Sequence, residues 1–204
     1  METEFKFSLK DTEVFDKIVE SAEIHKMGID DVETIEMHAS YFDTPEQDFR
    51  RAGIAYRIRQ EDDRITATIK WDVNVNDGLH RREEFNLFVN DERFADNPDI
   101  GIFISSDAYD VLFSAAGDKK LVKTISMDYT RRQFKVDTGK SISCISVDDG
   151  VIHHIDGYDV PVCELEIEWY YGDEEDFITL ANRIQEKYSL ESENKSKLQR
   201  ATGC

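Results

Sequence analysis

The stretch Glu2-Thr3-Glu4-Phe5-Lys6 decides how the rest of the chain is interpreted. Side chains of a β-strand alternate between its two faces, so the charged side chains would point one way and Thr3 and Phe5 the other. Taken alone, such a strand most simply turns its charged face to water. The same alternation returns in Glu164-Leu165-Glu166-Ile167-Glu168, and this recurrence favours a sheet in which the charged face has a function.

The composition predicts one folded domain over residues 1–204. The chain is 40% hydrophobic and 11% aromatic, which is enough to bury a sizeable core. It has only three prolines and no Gly/Ser-rich or Pro-rich stretch long enough to act as a flexible linker.

The net charge of −19 disfavours general binding to nucleic acid or to anionic membranes, since both require surplus Lys and Arg. No run of 18 apolar residues occurs, and the amino terminus has no apolar signal segment, so we expect a cytoplasmic protein without nucleic-acid or membrane partners. The three cysteines (Cys144, Cys163 and Cys204) are widely spaced, which argues against a disulfide framework or a thiolate metal site.

Apolar residues at helical spacing predict helices at three places. The first begins at Asp11 or Thr12 and ends near Gly28, the second begins at Ser106 or Asp107 and ends at Gly117, and the third is capped by Asp173. A short helical turn is expected over 46–52, and the tail from 193 to 204 is polar.

Alternating apolar and polar residues predict roughly eight strands. They cover 2–7, 32–43, 54–60, 65–71, 80–87, 121–136 as one or two strands, 142–148, 151–155 and 162–170. Hairpin turns are expected at 62–64 and at Asp149-Gly150, a polar loop over 72–78, and a loop or irregular helix over 90–98. Few connections are long enough for β-α-β crossovers, so the fold class is α+β with an antiparallel sheet or barrel.

The distribution of charge on these strands predicts a ligand site. If the helices cover the apolar faces, the charged faces line the interior, where each unpaired ion would cost several kcal/mol. Carboxylates from two strands would suit Mg²⁺ or Mn²⁺, and several Arg and Lys side chains would suit an extended phosphate chain. The alternative is a solvated sheet face with cross-strand ion pairs, each worth about 0.2–1 kcal/mol.

The order of these motifs resembles the CYTH domain, the triphosphate tunnel metalloenzyme superfamily. Glu2-x-Glu4-x-Lys6 is similar to its signature at the amino terminus, and further blocks extend the resemblance through nearly the whole chain. These blocks are Tyr41-Phe42-Asp43-Thr44-Pro45, residues 51–59, Thr68-Ile69-Lys70-Trp71, residues 78–84, Tyr129-Thr130-Arg131-Arg132, residues 164–168 and Ser196-Lys197-Leu198-Gln199-Arg200.

The resemblance implies an eight-stranded antiparallel β-barrel, with helices packed on its outside, whose tunnel holds a triphosphate and a divalent cation. The metal ligands that it implies are Glu2, Glu4, Glu164 and Glu166. The phosphate-binding residues are Lys6, Arg57, Arg59, Lys70, Arg82, Arg131 and Lys197. The catalytic candidates are Lys6, Lys70, Glu84 and Glu168, among which the sequence does not choose. Arg131 is preferred to Arg132 because Phe134 and Val136 should face the outer helices, and Asp148 is a weaker candidate for the tunnel.

The activity that the resemblance implies is metal-dependent hydrolysis of inorganic triphosphate (tripolyphosphate) to diphosphate and phosphate, with Mg²⁺ or Mn²⁺ as cofactor. The blocks look closest to bacterial inorganic triphosphatases. Three alternatives stay open: a class IV-type adenylyl cyclase, a thiamine triphosphatase, and a non-catalytic protein that binds polyphosphate or nucleotide. The expected partner is a small-molecule triphosphate, and a homodimer is left open.

Overall fold

Eight long antiparallel strands close into a barrel in the computed structural model, which describes residues 1–62, 64–89 and 98–202. In chain order they are β1 (Glu2–Ser8), β2 (Glu33–Asp43), β3 (Ala55–Glu61), β4 (Arg64–Asn76), β5 (Leu79–Val89), β6 (Val122–Asp137), β7 (Ser141–His154) and β8 (Asp159–Gly172). The predicted antiparallel barrel is therefore confirmed.

Strand β1 closes the barrel because it pairs on both edges. The order around the sheet is β5-β4-β3-β2-β6-β7-β8-β1, and β1 also pairs with β5. Along β1, Glu4 lies opposite Glu168 of β8 on one side and opposite His80 of β5 on the other. A two-residue strand, β9 (Glu191–Ser192), pairs with the far end of β1. The two stretches of alternating charge, 2–6 and 164–168, are therefore adjacent strands.

Helices pack against the outside of the barrel, as predicted. The described α-helices are α1 (Glu13–Val19), α2 (Ala22–Met27), α3 (Asp48–Arg51), α4 (Asp107–Ala116), α5 (Glu174–Tyr188) and α6 (Lys197–Thr202), with a 3₁₀ helix at Ile100–Phe103. None of these described helices has the length and apolar character needed to cross a membrane. The helix predicted to end near Gly28 is two helices, because Ser21 is extended (φ −63°, ψ 122°). The predicted polar tail contains α6.

Two of the three apolar clusters among the described residues lie between the barrel and these helices. In one, Phe5 and Phe7 of β1 pack with Phe177 of α5, and Phe5 and Phe177 have ring centroids 5.7 Å apart. In the other, Tyr56 of β3 packs edge-on against Phe103 at 5.6 Å. Because these apolar faces turn outward to the helices, the alternate charged residues turn inward.

The predicted hairpin turn at Asp149-Gly150 is wrong. Strand β7 continues from Ser141 to His154, and the chain turns instead at 155–158, where the Gly157 φ is +84° and the His154 amide donates to the Tyr158 carbonyl. A Cβ on Gly150 would come within 2.2 Å of the Asp128 carbonyl oxygen and 2.4 Å of the Tyr129 Cβ. The glycine therefore serves close approach of β6, not a turn.

Other differences concern strand length. The predicted polar loop over 72–78 is mostly strand, because β4 extends to Asn76 through a register shift between Trp71 and Asn74 and the turn falls at Asp77-Gly78. The one or two strands predicted over 121–136 are a single strand, β6 (Val122–Asp137). The loop or irregular helix predicted over 90–98 lies outside the described residues except for Pro98, and Asp63 of the predicted hairpin turn and Cys204 also lie outside them.

Replacing Gly150 by alanine should lower the free energy of unfolding by about 1–3 kcal/mol, since the added methyl group overlaps the backbone of β6. Urea denaturation measures the change. Gly28→Ala is the matched control, because its Cβ would find nothing closer than 3.6 Å. Equal stability of the Gly150→Ala variant and the wild-type chain would contradict the close approach.

Candidate active site

The barrel encloses a cavity of about 290 Å³ whose wall is densely charged. Seven cationic side chains line it: Lys6, Arg57, Arg59, Lys70, Arg82, Arg131 and Lys197. Six acidic side chains line it with them: Glu2, Glu4, Glu61, Glu84, Glu166 and Glu168. The wall thus carries more cations than acids, although the chain as a whole has a net charge of −19. Such an interior attracts anions.

Strand alternation places these groups. In β3, Arg57 and Arg59 face the cavity, while Tyr56 and Ile58, which alternate with them, are 1% and 3% exposed under the helices. The neighbours Arg131 and Arg132 separate in the same way, since Arg131 faces the cavity and Arg132 donates to Asp16 of α1 at 2.7 Å outside the barrel.

The register of β1 and β8 orders the acidic groups along the barrel axis. Glu168 lies opposite Glu4, Glu166 opposite Lys6, and Glu164 opposite Ser8. Glu164 is fully buried and does not line the cavity, because α6 covers this end of the barrel. The last inward residue at the other end, Tyr170, is 47% exposed, so the cavity opens there.

An inner acidic cluster lies at the covered end. Oxygens of Asp148, Glu164 and Glu166 come within 4.8 Å of one another, which is close enough to bind a metal ion. Each carboxylate is nevertheless contacted by at least two cations. The contacts are Arg131 Nε to Asp148 at 2.7 Å, Arg131 Nη2 to Glu166 at 2.5 Å, Lys197 Nζ to Asp148 at 2.7 Å and to Glu166 at 3.1 Å, and the close pairs Lys6–Glu166, Lys197–Glu164 and Arg200–Glu164.

These ion pairs set the protonation of the inner cluster. Burial opposes ionisation of Glu166, but Lys197, Lys6 and Arg131 hold its pKa well below the ordinary value. Burial also opposes ionisation of Asp148, whose pKa Arg131 and Lys197 lower. Four cations therefore surround three carboxylates, and burial raises the pKa of Glu164 in spite of Lys197 and Lys6, which together leave little negative charge for a metal ion. The inner cluster is a buried ion-pair network.

An outer acidic cluster, which consists of Glu2, Glu4 and Glu168, lies nearer the mouth. Its Glu2 pairs with Lys70 at 2.9 Å and with Arg82, and its Glu4 pairs with Arg82 and with Lys6 at 3.1 Å, so only Glu168 differs from the inner cluster in charge balance. Within the described ranges no Lys or Arg nitrogen lies within 4.0 Å of the Glu168 carboxylate. Burial, together with the charges of Glu2 and Glu4, raises the pKa of Glu168 to about 8. A divalent cation would relieve this repulsion, and three carboxylates supply the oxygen ligands that Mg²⁺ and Mn²⁺ prefer. The donors are of the type that such an ion takes, but among the described residues their oxygens are not all within 4.8 Å of one another, so a side chain must move to meet the ion.

Two arginines keep hydrogen-bond donors unused. Arg57 donates weakly to Thr68 Oγ1 at 3.4 Å, and its buried Nε has no hydrogen-bond partner among the residues that the structure describes. In the described part of the chain no carboxylate lies within 4.0 Å of the Arg57 guanidinium. The Nε of Arg59 is likewise buried without a partner, while its Nη2 pairs with Glu61. Buried donors on a cationic cavity wall are available to an anionic ligand.

Comparison with known proteins identifies the fold family. The model of the CYTH domain matches residues 1–202. The chain belongs to the CYTH domain family.

Relatives of this CYTH domain include an inorganic triphosphatase from Haemophilus influenzae, 27% identical over 163 residues. The match covers 79% of the chain but only 44% of that relative, so the chain spans less than half of its length. Among solved structures, a Hippeastrum protein, described as an adenylyl cyclase candidate with a dominant triphosphatase activity, has a TM-score of 0.74 and 17% identity, covering 100% of this chain and 96% of the other. The Mimivirus capping-enzyme triphosphatase has a TM-score of 0.52 and 14% identity, covering 90% and 87%. These two likenesses show the shared fold.

All of the predicted phosphate-binding residues line the same cavity of the CYTH barrel. The predicted metal ligands and catalytic residues also line it, with the exception of Glu164. Asp148, the weaker candidate, is fully buried behind the wall. Wall residues that the sequence analysis did not assign include Glu61, Asn86, Tyr129, Gln133, Tyr170 and Ser196. Alternation is the signal that finds several of them, since Glu61, Tyr129 and Gln133 each lie two positions from an assigned arginine. No such signal finds Arg200, whose role depends on how α6 docks.

Proposed function

We propose that this chain is a metal-dependent triphosphatase that cleaves inorganic triphosphate to diphosphate and phosphate. The observation that carries the proposal is the cavity wall with seven cationic side chains, some of whose donors are unused. A volume of about 290 Å³ is at the small end of ligand pockets, which span roughly 300–1,000 Å³. This size favours a compact inorganic chain over a whole nucleotide. The name of the Haemophilus relative agrees with the proposal.

The cationic side chains bind and orient the phosphate chain. Arg57 and Arg59 offer guanidinium forks whose geometry matches phosphate oxygens. Lys6 and Arg82 reach Glu4 in the ligand-free protein, with Lys6 Nζ 3.1 Å from the Glu4 carboxylate, and can exchange these contacts for phosphate oxygens. Positioning and charge stabilisation of this kind account for most of the catalysis of phosphoryl transfer.

Glu2, Glu4 and Glu168 would hold the divalent cation. When bound, Mg²⁺ or Mn²⁺ supplies positive charge to the phosphate oxygens and lowers the pKa of a water molecule. The sequence pattern assigned Glu164 and Glu166 as ligands together with Glu2 and Glu4. We propose Glu168 in their place, because Glu164 does not line the cavity, and Glu168, unlike Glu166, has no Lys or Arg nitrogen within 4.0 Å in the described part of the chain.

The four catalytic candidates take different roles in this proposal. The carboxylates of Glu166 and Glu4 outweigh burial and raise the pKa of Lys6, so Lys6 stays protonated and contacts phosphate. Lys70 lies 2.9 Å from Glu2 and 2.7 Å from Glu84, between the proposed metal ligand and the proposed base. With Glu168 assigned to the cation, Glu84 is the carboxylate that accepts the proton of the attacking water.

Phosphate release from tripolyphosphate, ATP and thiamine triphosphate tests the proposed function, each with Mg²⁺, with Mn²⁺ or with a chelator. We expect turnover of tripolyphosphate to exceed that of the other two and to stop when the metal is chelated. Tight binding without metal-dependent turnover of any substrate would replace the proposal with a non-catalytic binder. Preference for thiamine triphosphate would likewise overturn it.

A second candidate substrate is a nucleoside triphosphate, as the adenylyl cyclase description of the Hippeastrum protein suggests. One observation favours it: the ring of Tyr170 lines the mouth and is 47% exposed, where an organic group attached to the phosphate chain would lie. If ATP is the substrate, Tyr170→Ala raises KM for ATP and leaves KM for tripolyphosphate unchanged. Cyclic nucleotide among the products would separate cyclisation from hydrolysis.

The metal assignment predicts a contrast between the outer and inner acidic clusters. Glu168→Gln should weaken Mg²⁺ binding by about 10-fold or more, since it removes one of three carboxylate ligands. Glu164→Gln should leave Mg²⁺ affinity unchanged, because Glu164 contacts Lys197 and Arg200 behind the wall. The measurement is isothermal titration of Mg²⁺ into folded protein, checked by circular dichroism. A larger loss of Mg²⁺ affinity in Glu164→Gln than in Glu168→Gln would show that the inner cluster binds the metal.

A further inference from the structure

A second group of metal-binding side chains lies on the outer face of the barrel, away from the cavity. His38 of β2, Asp128 of β6, His153 of β7 and Asp159 of β8 come from four neighbouring strands. Their side chains are 61%, 56%, 39% and 66% exposed. The inward neighbours Met37, Met127 and Ile152 are 2% exposed or less, so His38, Asp128 and His153, which alternate with them, point outward.

Two histidines share the carboxylate of Asp128. The Nδ1 atom of His38 lies 2.5 Å from Asp128 Oδ1, and the Nε2 atom of His153 lies 3.2 Å from Asp128 Oδ2. Zn²⁺ binds imidazole nitrogen and carboxylate oxygen at about 2.0–2.2 Å, so two donors of one tetrahedral ion stand roughly 3.3 Å apart. The separation of His153 and Asp128 matches that value.

Asp159 sets the orientation of the His153 ring. Its Oδ1 atom lies 2.9 Å from His153 Nδ1 and accepts the proton of that nitrogen. The lone pair of Nε2 is then directed at Asp128, where only a proton or a cation makes the contact favourable. A carboxylate on the far nitrogen of a metal-binding histidine is a common supporting contact, since it fixes the tautomer and raises the basicity of the ligand.

The charge around this group favours a cation. Within the described ranges, no Lys or Arg nitrogen lies within 4.0 Å of the carboxylate of Asp128 or of Asp159. The net charge of −19 adds a general attraction for cations. The ligand atoms are not all within 4.8 Å of one another in the described structure, so one imidazole must rotate to meet the ion. His38 is exposed and can change rotamer at small cost.

We propose that His38, Asp128 and His153 form a binding site for a divalent transition-metal ion such as Zn²⁺, with Asp159 as the supporting carboxylate of His153. Three protein ligands leave the fourth tetrahedral position to water or to another molecule. Nitrogen ligands distinguish this site from the all-oxygen outer cluster in the cavity, which suits Mg²⁺ or Mn²⁺. The site does not depend on the proposed triphosphatase activity.

Calorimetric titration of Zn²⁺, with excess Mg²⁺ present to occupy the cavity, tests the proposal. Wild-type protein should bind one more Zn²⁺ than either His38→Asn or His153→Asn. Asp159→Asn should retain the stoichiometry but bind Zn²⁺ about 10–100-fold more weakly. His25→Asn is the matched control, because His25 is an exposed histidine on α2, far along the chain from the site, and it should behave like wild type.

Long-range ¹H–¹⁵N spectra of the histidine rings provide a second readout. Zn²⁺ should shift the Nδ1 resonance of His38 and the Nε2 resonance of His153, and should leave His25 unchanged. Equal Zn²⁺ stoichiometry and affinity in wild type and His153→Asn would overturn the proposal. An equal loss in His25→Asn would also overturn it, since it would show unspecific binding to surface imidazoles.

Discussion

Arg57→Met is expected to lower kcat/KM for tripolyphosphate by about 10²–10³-fold while leaving the free energy of unfolding nearly unchanged. The loss of activity follows from the unused donors of Arg57, which would contact phosphate oxygens in the transition state. Stability should change little, because no carboxylate pairs directly with Arg57 among the described residues. The variant no longer has the desolvation cost of burying the charge, and it loses only the longer-range attraction of Glu84 and Glu2, which helps to raise the pKa of Arg57. Steady-state phosphate release and urea denaturation measure the two quantities.

Arg132→Met is the control for this prediction. Arg132 lies outside the barrel, where it donates to Asp16 at 2.7 Å and its guanidinium stands 4.9 Å from the Phe15 ring centroid. Its replacement should leave kcat/KM unchanged. Wild-type activity in Arg57→Met would show that the free donors of Arg57 do not reach the reacting phosphate, and a large loss of stability would show that Arg57 has a partner in the ligand-free protein.

The inward and outward assignment of charged residues could be predicted from the sequence because strand periodicity is local. Arg57 and Arg59 alternate with Tyr56 and Ile58, and once the helices cover the apolar side, the other side must face inward. The same reasoning separated Arg131 from Arg132. Such predictions hold wherever one face of a strand is strongly apolar, since a register slip would bury every charge of the other face under a helix.

What could not be predicted depends on contacts between distant segments. Asp149-Gly150 has the composition of a hairpin turn, but the glycine is required by the approach of Tyr129 in a different strand. Likewise, Glu164, Glu166 and Glu168 are equivalent by alternation. Only the docking of α6 through Lys197 and Arg200 removes Glu164 from the cavity wall, and only the register with β1 places Glu168 beside Glu4.

The cations of the cavity therefore differ in what they do before a ligand binds. Among the described residues no carboxylate lies within 4.0 Å of Arg57, whereas Arg131 donates through Nε to Asp148 at 2.7 Å and through Nη2 to Glu166 at 2.5 Å. Asp148 is fully buried, so its charge depends on Arg131 and Lys197. Replacing Arg57 and replacing Arg131 should consequently have different effects on the free energy of unfolding, although both arginines line the same cavity.

Arg131→Met should lower the free energy of unfolding at pH 7 by about 3–5 kcal/mol, because it leaves Asp148 and Glu166 buried with one partner fewer. Arg131 and Lys197 lower the pKa of Asp148 against the effect of burial, so the stabilisation is present above the unfolded pKa of about 3.9 and is lost as pH falls through the folded value. The gap between wild type and variant should accordingly narrow below about pH 4.

Urea denaturation of Arg131→Met, Asp148→Asn and the double variant measures the coupling, and the double variant should be more stable than the sum of the single losses predicts. Strict additivity of the two losses, or a gap that stays constant with pH, would show that the inner network does not stabilise the fold through this pair.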